Sequence, residues 1–297
     1  MNDISGNELY CWRQKAREQA IAKNIDPNDV DWLLQTLTDL SSLSLRMGKF
    51  PDKVKTNSNQ SLSELEKLWQ RRLQERVPVQ YLAETVFWRR FKLKVTPAVL
   101  IPRPETELII DIAIEAVKNS NLREQNRHWV DLGTGSGAIA LGLADSLTNA
   151  TVHAVDCSLK ALQIARENAI ALGLDRNICF YHGSWWDKLT SFQGKINGMV
   201  ANPPYIPTME VKQLQPEVVK HEPNLALDGG DDGLDDIRYL VASAPKYLVS
   251  GGVWLIEIML GQANIVVELL KRQRQYYDIK VFPDLNGIDR FVLAYRR

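Results

Sequence analysis

Asn202-Pro203-Pro204-Tyr205 is the stretch whose residue types are best suited to chemistry. It follows Gly198-Met199-Val200-Ala201, a short apolar run that reads as a buried strand ending at the asparagine. The Asn202 side chain can present its carbonyl oxygen as an acceptor. Pro203 has a fixed φ and no N–H, so its carbonyl is an acceptor with no donor of its own beside it. Pro204 stiffens the turn, and Tyr205 adds an aromatic face on which a planar group can pack. Together they suit a planar amide or amine nitrogen, whose delocalised lone pair makes it a poor nucleophile. Accepting hydrogen bonds from both of its N–H groups turns that lone pair toward an electrophile. The plainer reading of the same residues is a proline-rich turn closing a strand.

A second constellation lies upstream. Asp131-Leu132-Gly133-Thr134-Gly135-Ser136-Gly137 follows an apolar segment and precedes a helical one. Glycines there let the backbone turn tightly beside a ligand, and a helix N-terminus offers free N–H groups. The spacing is GxGxG, with Ala138 in place of the third glycine of a dinucleotide fingerprint, and no Lys-Ser/Thr follows as a Walker loop requires. Asp156 ends the next strand about 20 residues on, where an acid can take a ribose diol. It could equally cap the helix from Leu159. Loop and acid in register indicate a nucleoside-type cofactor.

The elements that must position these residues alternate. From His128 onward, strands near 129–130, 151–155, 178–181, 199–201, 253–258, 279–282 and 291–295 are expected, with helices over 138–147, 160–172, 235–248 and 263–272. Such alternation gives a largely parallel sheet covered by helices on both faces, with ligands at the carboxyl ends of its strands. Residues 105–297 are assigned to this domain. Residues 79–104 read as a strand or hairpin, from the alternation of Phe91, Leu93 and Val95, followed by a proline-stiffened connection. Residues 1–78 read as a small helical bundle. Leu9, Trp12, Ala16 and Ala20 share one face, Asp26-Pro27 starts a second helix, residues 49–60 form a polar loop, and Ser61 with Glu64 fits a capping box.

Composition narrows the class. The 297 residues carry 45% hydrophobic and 24% charged residues, as in ordinary globular domains. The run 253–260 is short and interrupted by Glu257, no basic-then-apolar leader opens the chain, and a cytoplasmic protein without a membrane partner is expected. Cys11, Cys157 and Cys179 form no CxxC pair and the four histidines are scattered, so no metal site is expected. Thirty-six basic residues balance 36 acidic ones, which argues against tight nucleic-acid binding.

The glycine loop resembles motif I of class I S-adenosylmethionine-dependent methyltransferases, and Asn202 to Tyr205 resembles their motif IV at the end of the fourth strand. Further segments are similar to the family of peptide chain release factor N5-glutamine methyltransferases: Pro78-Val79-Gln80-Tyr81-Leu82, Ile101-Pro102-Arg103-Pro104-Glu105-Thr106-Glu107, His221-Glu222-Pro223 with Leu225-Ala226-Leu227, and Gly229 to Leu234. The resemblance covers residues 78–297 in motifs and the first 77 in helical character alone. It implies a Rossmann-like, mostly parallel seven-stranded sheet with an N-terminal helical substrate-recognition domain. It also implies methyl transfer from S-adenosylmethionine to the glutamine of a Gly-Gly-Gln segment. Gly133, Thr134, Gly135, Ser136 and Gly137 would then cradle the methionine moiety, Asp156 the ribose, and Trp185 the adenine. Asn202 would border the cofactor and, with Pro203, Pro204 and Tyr205, hold the substrate; Asn202, Pro203 and Tyr205 are the expected catalytic residues. Three positions depart from the family pattern. Ser184 stands where an acid often precedes the tryptophan, Met259 stands in place of a glycine two residues after Glu257, and Ala83-Glu84-Thr85 lacks the usual glycine. Competing readings are a ribosomal-protein glutamine methyltransferase, a nucleic-acid adenine-N6 or guanine-N2 methyltransferase, and a cofactor-binding adaptor without catalysis.

Overall fold

The helical periodicity of the N-terminal region and the alternation beyond residue 128 both become regular structure, and they fall in different parts of the molecule. The computed structural model describes residues 3–57, 60–118 and 127–297. Met1 and Asn2, and Ser58 and Asn59 of the expected polar loop, lie outside the described residues. Two compact units emerge: the chain up to Thr85 together with Gln215–His221, and Val86–Leu214 together with Glu222–Arg297.

The first unit contains β1 (Asp3–Ser5), α1 (Gly6–Ala22), α2 (Asn28–Leu37), α3 (Ser42–Met47), β2 (Lys53–Lys55), α4 (Leu62–Glu75) and α5 (Val79–Leu82). Leu9, Trp12, Ala16 and Ala20 are buried along α1, and Ser61 with Glu64 forms the reciprocal cap that opens α4. Residues 49–60 are not wholly irregular. Val54, between two exposed lysines, buries itself opposite Ile4, so β2 pairs antiparallel with β1. Far along the chain, the short helix Pro216–His221 joins this unit, with Glu217 bonded to Arg72 and Arg76.

An antiparallel hairpin, β3 (Thr85–Trp88) and β4 (Phe91–Lys94), begins on Thr85, the last residue of the first unit's opening stretch, and lies otherwise in the second unit, which continues with α6 (Leu108–Lys118). Among the described residues its sheet has seven strands: β5 (Arg127–Leu132), β6 (Ala150–Asp156), β7 (Ile178–His182), β8 (Ile196–Ala201), β9 (Leu248–Glu257), β10 (Tyr276–Pro283) and β11 (Asp289–Arg296). Their order is β10-β11-β9-β8-β5-β6-β7, with β5 to β9 parallel and β11 antiparallel to both its neighbours. The expected helix over 235–248 stops at Ser243. Pro245 has no N–H with which to continue it, so residues 244–246 tighten into a 3-10 turn and Leu248 already begins β9.

Register places the site. Leu132 pairs with Val155 on one side and Ala201 on the other, Asp156 pairs with His182, and Ala201 pairs with Ile256. The carboxyl ends of the parallel strands therefore finish nearly level. The strand order reverses at β5, which makes the crevice beyond β5 the expected ligand position in an open sheet of this kind. The helices α7 (Ala138–Ser146) and α8 (Leu159–Ala171) follow β5 and β6, and their N-termini face the same edge.

Candidate active site

A cavity of about 350 Å³ opens at this edge, in the size range of small-molecule sites. Gly133, Thr134, Gly135 and Ser136 line it after β5, Asp156 and Cys157 after β6, Trp185 after β7, and Asn202 with Pro204 after β8. The two constellations noted in the sequence therefore share one cavity. Three of the expected residues do not line it. Gly137 sits at the N-cap of α7, where a Cβ would come within 3.1 Å of Ala165 on α8, so its role is helix packing. Pro203 is buried, and Tyr205 turns its hydroxyl to Glu257.

The glycine loop is braced from beneath and open above. Gly135 has φ +53°, and no atom stands within 4 Å of the position of a Cβ, so the absent side chain leaves the cavity clear. Asp156 accepts from the Gly135 N–H and the Ser158 N–H, each at 2.8 Å, and so joins the loop to the start of α8. Burial raises its pKa against the pull of those bonds. Each carboxylate oxygen keeps lone pairs for a hydroxyl of a ligand. Asp131, fully buried below, accepts from Thr134 Oγ1 at 2.6 Å and the Ala140 N–H at 3.0 Å. With no cation bonded to it, burial pushes its pKa up to about 7. Asn168 on α8 donates to the Ser136 carbonyl at 2.9 Å and steadies the far side of the loop.

Trp185 occupies the left-handed region at φ +46°, its ring 3.7 Å from the place a Gly133 Cβ would take. Its indole N–H donates to Asp236 at 3.2 Å. Asp236 comes from the first turn of the helix Asp235–Ser243, distant in sequence, and stands beside the tryptophan that Ser184 leaves without an adjoining acid. Trp186 belongs to the core, stacked on Tyr247 at 4.3 Å.

The Asn-Pro-Pro-Tyr corner is anchored by residues whose roles motif spacing did not show. Asn202 Nδ2 donates to Thr106 Oγ1 at 3.5 Å, Thr106 donates to Glu257 Oε2 at 2.6 Å, and the Tyr205 hydroxyl donates to Glu257 Oε1 at 3.1 Å. Glu257 is 0% exposed, and burial pushes its pKa up to about 7. Burial, then the adjacent Glu257, raises the Tyr205 phenol, so it stays a donor. Gln262 donates to the carbonyls of Tyr205 and Gly233 at 2.9 and 3.1 Å. Gly233, at φ +73°, lies so close that a Cβ would stand 2.2 Å from the Tyr205 carbonyl oxygen, and only glycine fits. Met259 adopts no positive φ and needs no glycine, whereas Glu84 takes φ +49° in the segment where the family pattern has one. Glu222 accepts from Arg103 at 2.7 Å and the Ile101 N–H at 3.3 Å, tying the 101–103 segment to the start of 222–226. A carboxylate inside an apolar strand was the available signal for Glu257. For Asp236 and Gln262 the sequence carries no such signal.

Among the described residues, no cluster of three or more His, Cys, Asp or Glu side chains is placed to hold a metal, and no helix is long and apolar enough to cross a membrane. A glycine loop and an acceptor-rich corner on adjacent strand ends, over a switch point, define a methyltransferase of Rossmann-like fold. The Methyltransferase small domain family model matches residues 109–231. The hMettl16 catalytic domain, solved in complex with MAT2A 3'UTR hairpin 6, shares the fold with a TM-score of 0.56 at 12% identity, over 89% of this chain and 88% of that one. The chain belongs to the release factor glutamine methyltransferase family. It is 51% identical to the release factor glutamine methyltransferase of Synechocystis sp., over 98% of this chain and 97% of the relative. It is 46% identical to that of Thermosynechococcus vestitus, over 98% and 99% respectively.

Proposed function

We propose that this protein methylates the side-chain amide nitrogen of the glutamine in the Gly-Gly-Gln segment of a peptide chain release factor, with S-adenosylmethionine as donor. The observation that carries the reading is that Asn202 shares its cavity with Gly133 to Ser136 and Asp156. The donor set suits the cofactor: Asp156 keeps free lone pairs for a ribose diol, Trp185 offers a flat wall for adenine, and the open face of Gly135 admits the methionine moiety. Bound there, S-adenosylmethionine supplies an electrophilic methyl group on a sulfonium. The protein's own contribution is alignment and exclusion of water. Asn202 Oδ1 accepts from one N–H of the glutamine amide, and the carbonyl of Pro203, between the lining residues Asn202 and Pro204, is assigned the other, so that the lone pair turns toward the cofactor side. Tyr205, fixed by its hydroxyl on Glu257, holds the corner in shape. No strong general base is needed, because an alkylated amide nitrogen is acidic enough to lose its proton to water. The helical unit is assigned to gripping the substrate protein.

Incubation with labelled methyl donor and, in parallel, a release factor, ribosomal proteins and RNA tests the reading. Label on the glutamine of Gly-Gly-Gln, located by mass spectrometry, is the expected result. Label on RNA or on a ribosomal protein alone would overturn it.

A further inference from the structure

We propose that Thr106 and Glu257 are positioning residues that set which end of the Asn202 amide faces the substrate. This inference rests on the methyl-transfer reading and adds to it the polarity of its key acceptor. Asparagine can point either oxygen or NH₂ into a site, and only the oxygen can accept from a glutamine N–H. An ionised Glu257 has lone pairs and no proton. The Thr106 hydroxyl at 2.6 Å and the Tyr205 hydroxyl at 3.1 Å must therefore both donate to it. With its proton committed, Thr106 Oγ1 presents lone pairs to Asn202, and the NH₂ group answers them at 3.5 Å. The Asn202 oxygen is thereby left for the cavity. The chain of bonds runs in one direction because its terminus is an acceptor.

Protonation of Glu257 reverses the logic. A carboxylic acid can donate to Thr106, whose hydroxyl is then free to point at Asn202, where the amide oxygen is the matching group. The groups facing Glu257 come from three directions. Thr106 and Glu105 lie in the 3-10 turn 105–107, Tyr205 at the end of β8, and Arg290 on β11. Arg290 bonds Asp284 and the Ile258 carbonyl rather than Glu257, so no ion pair holds the carboxylate charged. Burial leaves it titrating at about 7, and turnover of the intact protein is expected to fall as pH drops through that value.

Thr106→Val keeps the shape and removes the hydroxyl. Loss of kcat by about 10–100-fold is expected, the scale seen when partners that orient an active-site group are removed. KM for the release factor and the Kd of the cofactor should stay near wild type, and Thr106→Ser should restore turnover. Glu257→Gln should lose the acid limb of the pH profile. Wild-type turnover in Thr106→Val, or a loss of cofactor affinity in proportion to kcat, would overturn the proposal. A readout without substrate separates it from the functional reading: the Asn202 side-chain NH₂ resonances, identified by their loss in Asn202→Ala. They should shift with a midpoint near the Glu257 titration, and the shift should vanish in Glu257→Gln. If those resonances ignore pH in the wild type, the polarity relay is wrong even should methylation proceed. If no release factor is methylated but the shift is present, the functional reading fails and the relay stands.

Discussion

Buried carboxylates are handled in opposite ways in the helical unit and beneath the cavity edge of the sheet unit. In the helical unit, carboxylates meet guanidinium groups. Arg13 and Arg17 converge on Asp31, while Arg72, with its side chain 8% exposed, takes both Asp29 and Glu217. Of the two carboxylates on Arg72, burial raises Asp29 even beside the guanidinium, whereas, against burial, hydrogen bonds from Arg72 and the charge of Arg76 hold Glu217 below its ordinary value. In the sheet unit, Asp131 and Glu257 meet hydroxyl and N–H groups instead of bonded cations, and both are pushed up to about 7. Fully paired charges stiffen a scaffold. Carboxyls satisfied by neutral donors impose a direction on a network, and they stay close to a change of charge. That difference sets Asp131 and Glu257 apart from the ion-paired Glu222 and Asp284 of their own unit as the carboxyls arranged for chemistry.

The strongest way to break the comparison is Asn202→Ala. Methyl transfer should fall about 100–1000-fold, the scale for loss of one aligned hydrogen bond at a reacting group, while cofactor affinity measured by calorimetry stays within a few-fold. Next is Glu217→Gln, which removes one charged partner from Arg72 and Arg76. Unfolding in urea should show a loss of about 1.5–3 kcal/mol, as for hydrogen bonds to charged groups, with the cofactor Kd unmoved. A neutral effect would mean that the helical unit does not depend on its ion pairs.

The third prediction concerns pH. Glu257 has a folded pKa of about 7 against an ordinary 4.5, so between those values the folded state binds more protons than the unfolded state. Its contribution to stability is therefore greatest below pH 4.5 and is lost as pH rises through 7, with a slope of at most about 1.4 kcal/mol per pH unit. Denaturation curves across this window should be flatter for Glu257→Gln than for wild type. The smallest effect is expected for Asp156→Asn, which keeps an acceptor for the Gly135 N–H but loses the charge. Cofactor affinity should weaken about ten-fold, or about 1.4 kcal/mol.

Much of the sheet unit was legible because its signals are local. Period and apolar runs marked its strands, glycine spacing marked the loop, and a strand-terminal Asn-Pro-Pro-Tyr marked the corner. Expectations slipped where tertiary context outweighed local pattern. Val54 found a partner in Ile4 and made a strand within an expected loop, and Pro245 ended a helix earlier than its apolar residues suggested. Membership of Gln215–His221 in the helical unit had no local sign, since it depends on Glu217 meeting arginines about 145 residues away in sequence. The bond from the Tyr205 hydroxyl to Glu257, on the neighbouring strand, likewise had no local sign in a residue read by its ring.

By itself, the sequence determined the strand and helix periods, the backbone freedom of the glycine loop and the acceptor chemistry of Asn202 and Pro203. These follow from covalent structure and from neighbours a few residues apart. Only the tertiary structure decided that Thr106, Glu257 and Tyr205 form one bonded group, that Asp236 meets Trp185, and that Gln262 bolts the corner to Gly233. Hydrogen bonds act over about 3 Å, and which distant residues come that close is set by strand register and order, which no single segment encodes.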